Sequence, residues 1–268
     1  MRRSEYFEAI GRGDAERVRE LVAEEPELLR ELTGPSYAPE QQLRCTGLHA
    51  AVYAGSPDVA RVLVDAGIDL EAATLEGRRA VHDSIEFGQA AITRLLEEAG
   101  AELDICCAAI LGRLELLREW LDKDPALAND RTTGLSPLGW AAFGNQTETA
   151  RELIARGARM DDGELSCAAS VGHVEVARVL LEAGFDPNYA CPESGTTALH
   201  AAAALHYTCD SAAFVDLVLE FGADPSAKTS AGRTALAIAE AGQRAELAAP
   251  TEGAPKNFAA VVERLRRA

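Results

Sequence analysis

The sequence predicts an all-α protein, a solenoid of about eight stacked helix-turn-helix repeats. Three observations predict it. The first is internal similarity. TGLHAAVYAG from Thr46, SPLGWAAFGN from Ser136, TTALHAAAAL from Thr196 and TALAIAEAG from Thr234 share a small hydroxyl residue, an apolar residue two on, and small residues at fixed offsets. The second is a glycine turn about 21 residues after the first position, at Gly67, Gly100, Gly157 and Gly184. An amphipathic stretch leads into each turn, as in DVARVLVDAG and EVARVLLEAG. The third is composition: aromatics are only 5% and alanine is abundant, which suits close packing of thin helices.

The elements follow in order. Repeats begin near Ser4, Thr46, Arg79, Leu103, Ser136, Gly163, Thr197 and Thr234, a single repeat domain over residues 1–268. Neither short helix of a unit buries its apolar face alone, so neighbours must stack. The first interval is stretched by the Gly/Pro-rich LTGPSYAPEQQLRC. From Gly67 to Arg79 the connection is long enough for a projecting hairpin. From Gly100 to Leu103 and from Gly157 to Gly163 it is cut back. The seventh repeat has extra residues near LHYTC, and the eighth carries AELAAPTEGAP before a closing helix, NFAAVVERLRRA. The terminal repeats are expected to act as caps, the last with a basic, polar outer side.

These residues resemble the ankyrin repeat. Two intervals, Thr46 to Arg79 and Leu103 to Ser136, are 33 residues, the family's period. The fullest matches are GHVEVARVLLEAGFDPN at 172–188 and TTALHAAAA. The resemblance covers nearly the whole chain. It implies an interaction protein that binds through its hairpin fingers and first helices. It also implies that His49, His82, His200 and His173 tie repeats together.

Charge and sorting signals narrow the function. The formal charge of −17 repels phosphate backbones, so no nucleic acid is expected as partner. MRRSEYFEAI lacks the apolar run of a secretory signal, and no stretch approaches the roughly 18 apolar residues of a membrane span. Six cysteines without a C-x-x-C pair predict a reduced, cytoplasmic setting. No nucleotide-binding, nucleophile-elbow or zinc-protease motif occurs, so neither cofactor nor metal is expected. The adjacent Cys106 and Cys107 read as small packing residues.

A partner is expected in a concave groove. The slots before each first-helix turn, usually polar in such repeats, here carry Tyr53, Glu86, Phe87, Ile110, Leu111, Phe143, Val171 and Leu205. Trp140 points to the same side, and Tyr207 lies in the seventh-repeat insertion. This strip predicts a module gripping an apolar or amphipathic segment of another protein. The alternative is an enzyme or small-molecule binder. Asp83 and Glu86 sit at i and i+3 on one helix face, and with His206 they supply candidate acid–base groups beside an apolar pocket. The simpler reading of the two acids is a solvated acidic face.

Overall fold

The structure is a computed structural model that describes residues 2–32, 45–75, 77–160, 163–204, 211–248 and 257–268. Sixteen α-helices lie among the described residues, in eight consecutive pairs, with no strand. The all-α repeat architecture is thus the one expected. Chain contacts divide it into two compact units, Met1–Cys107 with Arg131–Gly134, and Ala108–Asp130 with Leu135–Ala268.

The first unit holds α1 (Arg2–Gly11), α2 (Ala15–Glu24), α3 (Gly47–Tyr53), α4 (Pro57–Asp65), α5 (Ala80–Glu86), α6 (Ala90–Glu98) and the start of α7 (Ile105–Ile110). First helices pack on first helices, α1 on α3 and α3 on α5. Second helices do the same, α2 on α4 and α4 on α6. The two layers bury a continuous core of Tyr6, Ile10, Leu21, Leu48, Val59, Leu63, Ile92 and Leu96.

Local sequence explains the pattern. In α4, proline opens the helix after Ser56, where its missing N–H costs nothing. Its inward stripe is Val59, Ala60, Val62 and Leu63. The helix ends on Gly67 at φ 82°, a left-handed position that favours glycine. The finger that follows closes with an Ala73–Arg79 bridge and a 2.8 Å hydrogen bond from Thr74 N–H to the Arg78 carbonyl. Between α6 and α7 only residues 99–104 remain, the shortening read from the sequence.

The second unit continues with α8 (Leu114–Lys123), α9 (Pro137–Phe143), α10 (Thr147–Ala155), α11 (Glu164–Val171), α12 (Val174–Glu182), α13 (Ala198–Ala204), α14 (Ser211–Glu220), α15 (Ala235–Ala248) and α16 (Phe258–Arg267). The same two layers recur: α9 on α11 on α13 on α15, and α8 on α10 on α12 on α14. The closing helix α16 packs on α14 and α15, buries Phe258, Val261, Val262 and Leu265, and carries Arg264, Arg266 and Arg267 in its last turn.

At the ends of α7 and α9 the backbones nearly touch. A side chain at Gly144 would place its Cβ 2.4 Å from the Ile110 carbonyl oxygen, and Gln146 Nε2 donates to that oxygen at 3.2 Å. No described helix is long and apolar enough to cross a membrane.

Candidate functional site

The site is built where α3 and α5 end side by side. Tyr53 closes α3, and Phe87 follows the last residue of α5. Their rings meet edge to face, with centroids 5.7 Å apart and planes at 75°. Tyr53 is 41% exposed and Phe87 55%, so this pair presents aromatic surface to solvent.

Beneath the rings lies a charged cluster. Asp83 is only 1% exposed. Its Oδ1 accepts from Arg78 Nε at 2.7 Å and its Oδ2 from the Tyr53 hydroxyl at 2.7 Å. The same guanidinium also pairs with Glu86. Burial first, then the Asp83 charge, push the Tyr53 phenol far above its ordinary range, so the hydroxyl keeps its proton and donates. The ring of Tyr53 is therefore fixed from below by a buried carboxylate.

Asp83 corrects one expectation. It does not lie on a solvated acidic face but is sealed against Arg78 and Tyr53. Both its oxygens are engaged, and Glu86 shares the one cation. This pairing explains how a carboxylate is tolerated so deep in the fold. Arg78, which sequence reasoning missed, is its centre. The finger places Arg78 one residue before the helix cap, a position that the repeat pattern does not mark.

Trp140 is the second correction. Expected in the open groove, it is 3% exposed and stands edge to face with Phe143 at 6.2 Å. Its slot on α9 faces into the packing and not out of it. Phe143, Ile110, Leu111 and Val171 are half-buried. Glu86 is half-buried too. Leu205, His206 and Tyr207 lie outside the described residues.

The histidines act as ties. His49 Nδ1 meets the Thr46 hydroxyl at 2.8 Å, and its Nε2 reaches the Arg78 carbonyl of the next repeat at 3.1 Å. His200 repeats the pattern with Thr197 and with the carbonyls of Ala227 and Arg233. His173 Nδ1 stands 3.5 Å from the Ala142 carbonyl, a long contact. His82 differs. Its Nδ1 accepts from the Arg79 N–H, and its Nε2 meets Asp104 Oδ2 at 2.7 Å.

Asp104 joins the adjacent cysteines to this second cluster. Its Oδ1 accepts the Cys107 backbone N–H at 2.9 Å, and its Oδ2 also takes Arg79, 2.7 Å away. Burial raises its pKa, but His82, the Cys107 amide and Arg79 outweigh that and hold the carboxyl well below its usual range. Cys106 and Cys107 are buried, and burial first pushes the Cys107 thiol far up, which leaves it protonated and unreactive. Burial likewise raises the Cys167 thiol to about 12. The ligand atoms of His82, Asp104 and Cys107 lie within 4.8 Å of one another. A cation there would meet the Arg79 guanidinium on the same carboxylate oxygen, so the cluster reads as a structural one.

A cavity of about 510 Å³ lies elsewhere in the first unit, lined by Leu29, Arg30, Leu32, Thr46, Ile68 and Asp69 among others. None of the predicted site residues lines it.

Paired short helices in two layers, glycine turns, projecting fingers and histidine ties between repeats define a helical repeat protein. The chain belongs to the ankyrin repeat family: the family model matches three times, over residues 7–107, 105–191 and 165–248. It is similar to an ankyrin repeat-containing protein of Treponema pallidum (strain Nichols), 32% identical over 136 residues, 48% of this chain and 44% of that protein. It is also similar to the Ankyrin repeat and LEM domain-containing protein 1 homolog of Caenorhabditis elegans, 42% identical over 78 residues, 28% of this chain and 10% of that protein. A third relative is the E3 ubiquitin-protein ligase KEG of Arabidopsis thaliana, 27% identical over 243 residues, 79% of this chain and 14% of that protein. The chain thus spans less than half the length of each of these relatives.

Proposed function

We propose that this chain is a protein interaction module, and that the Tyr53–Phe87 pair anchors an apolar or amphipathic segment of its partner. Ankyrin repeats generally serve protein–protein interaction. One observation carries the placement: two exposed aromatic rings stand in contact, and one is pinned by a buried carboxylate. Rigid aromatic anchors lose little freedom on binding and dominate interface energies. No disulfide joins the described cysteines Cys45, Cys106, Cys107, Cys167 and Cys191, which accords with a reducing, cytoplasmic setting. The alternative chemistry, with Asp83 and Glu86 as acid and base, is less favoured, because one guanidinium neutralises part of both.

The test is photo-crosslinking in the source cells. A photoreactive phenylalanine analogue replaces Phe87, and in a control it replaces Leu247, an apolar residue that is even more exposed. An adduct with one protein from position 87 alone supports the reading. Equal labelling from both positions, or a small molecule in place of a protein, overturns it.

A further inference from the structure

The charges around α5 do not balance. Arg78 serves both Asp83 and Glu86, and Arg79 serves both Glu71 and Asp104. One guanidinium cannot neutralise both Asp83 and Glu86, and His82 also stands on Asp104 in the second cluster. In the first cluster the excess is not spread evenly. Asp83 is sealed, with both oxygens occupied. Glu86 gives only Oε2 to Arg78, and its side chain remains 30% exposed. The excess charge thus falls mainly on Glu86, at the open end of α5 and next in sequence to Phe87.

From this geometry we infer that the Tyr53–Phe87 pair takes a basic residue of the partner, an arginine or lysine, with its apolar stem against the rings and its cation on Glu86. The inference deepens the interaction reading and rests on it. Two aromatic rings with planes at 75°, and a partly exposed carboxylate on the residue next to one of them, suit such a side chain on both counts. The methylene stem covers apolar ring surface, and the cation gains from the ring faces and from the carboxylate. The fit extends outward, since a chain of net charge −17 attracts basic segments over a Debye length or more at low salt.

The test selects peptides from a random twelve-residue phage library on the full chain at low salt. The expected peptides carry arginine or lysine beside an aliphatic or aromatic residue, and their binding is lost in Phe87→Ala. As synthetic peptides they bind Glu86→Gln about fivefold more weakly at low salt, a difference that vanishes near 1 M salt. Replacing the basic residue by glutamine gives at least that loss, with no further loss on Glu86→Gln. Peptides that need Phe87 but lack a basic residue, or ignore Glu86→Gln, overturn the inference and leave the aromatic anchor standing. If no selected peptide depends on Phe87, the anchor itself falls, and the inference with it.

Discussion

The hydroxyl of Tyr53 donates a 2.7 Å hydrogen bond to Oδ2 of Asp83, thirty residues on and almost wholly buried. The bond ties the end of one first helix to the middle of the next. It also sets an exposed aromatic ring on a rigid support. Without that bond the ring has rotamer freedom that a partner must remove on binding.

Tyr53→Phe removes the donor and keeps the ring. It leaves a buried carboxylate oxygen unpaired, so the fold is expected to lose about 1.5–3 kcal/mol. Asp83→Ala leaves Arg78 with Glu86 alone and the Tyr53 hydroxyl without its acceptor, and is expected to cost about 2–3 kcal/mol. Urea unfolding followed by circular dichroism measures both. A loss of under about 0.5 kcal/mol in Tyr53→Phe means that the hydrogen bond does not matter to the fold.

Trp140 and Phe87 are expected to behave oppositely. Trp140→Ala opens a core cavity on α9 and is expected to cost about 3–5 kcal/mol. Phe87→Ala removes exposed surface and is expected to stay within about 0.5 kcal/mol of the parent. The same unfolding curves decide. Similar losses in the two variants would place Phe87 in the core and end its role as an anchor.

Acid is expected to weaken the fold through His49 first. Burial holds its pKa below the ordinary 6.5, although the Arg78 carbonyl and the Asp83 charge pull the other way, and Arg78 and His82 add to the lowering. The unfolded chain takes that proton near 6.5, and the fold only at lower pH. His49 therefore contributes its full stability above about 6.5 and loses it as pH falls toward the folded value. Asp104, also lowered, adds a second loss that begins near 3.8. Unfolding midpoints between pH 7.5 and 5.5 should fall in the parent and fall less steeply in His49→Asn. An equal slope in both chains would remove His49 from the account.

The repeat architecture was legible because it is written many times. Thr46, Arg79, Ser136 and Gly163, read as first positions, stand as the N-caps of α3, α5, α9 and α11. The short link before α7 was legible from chain length alone. Side-chain burial was not. Asp83 and Trp140 occupy the same slot, next after the position of the family histidine, where residue type alone suggested exposure. What buries Asp83 is a cation from the finger, Arg78, and what buries Trp140 is packing against Phe143. The first contact comes from a segment that the repeat pattern treats as variable, and the second from a variable slot on the same helix. Tyr53 and Phe87 were legible as large apolar residues in slots that are usually polar. That they touch, and that one is pinned, required the fold.

The most direct test of the central claim is partner capture by Phe87→Asp, run beside the parent and paired with its urea unfolding curve. The account predicts that the variant unfolds at the parent's midpoint yet no longer retains the protein that the parent holds in stoichiometric amount. A folded variant that retains that protein in equal yield would contradict it.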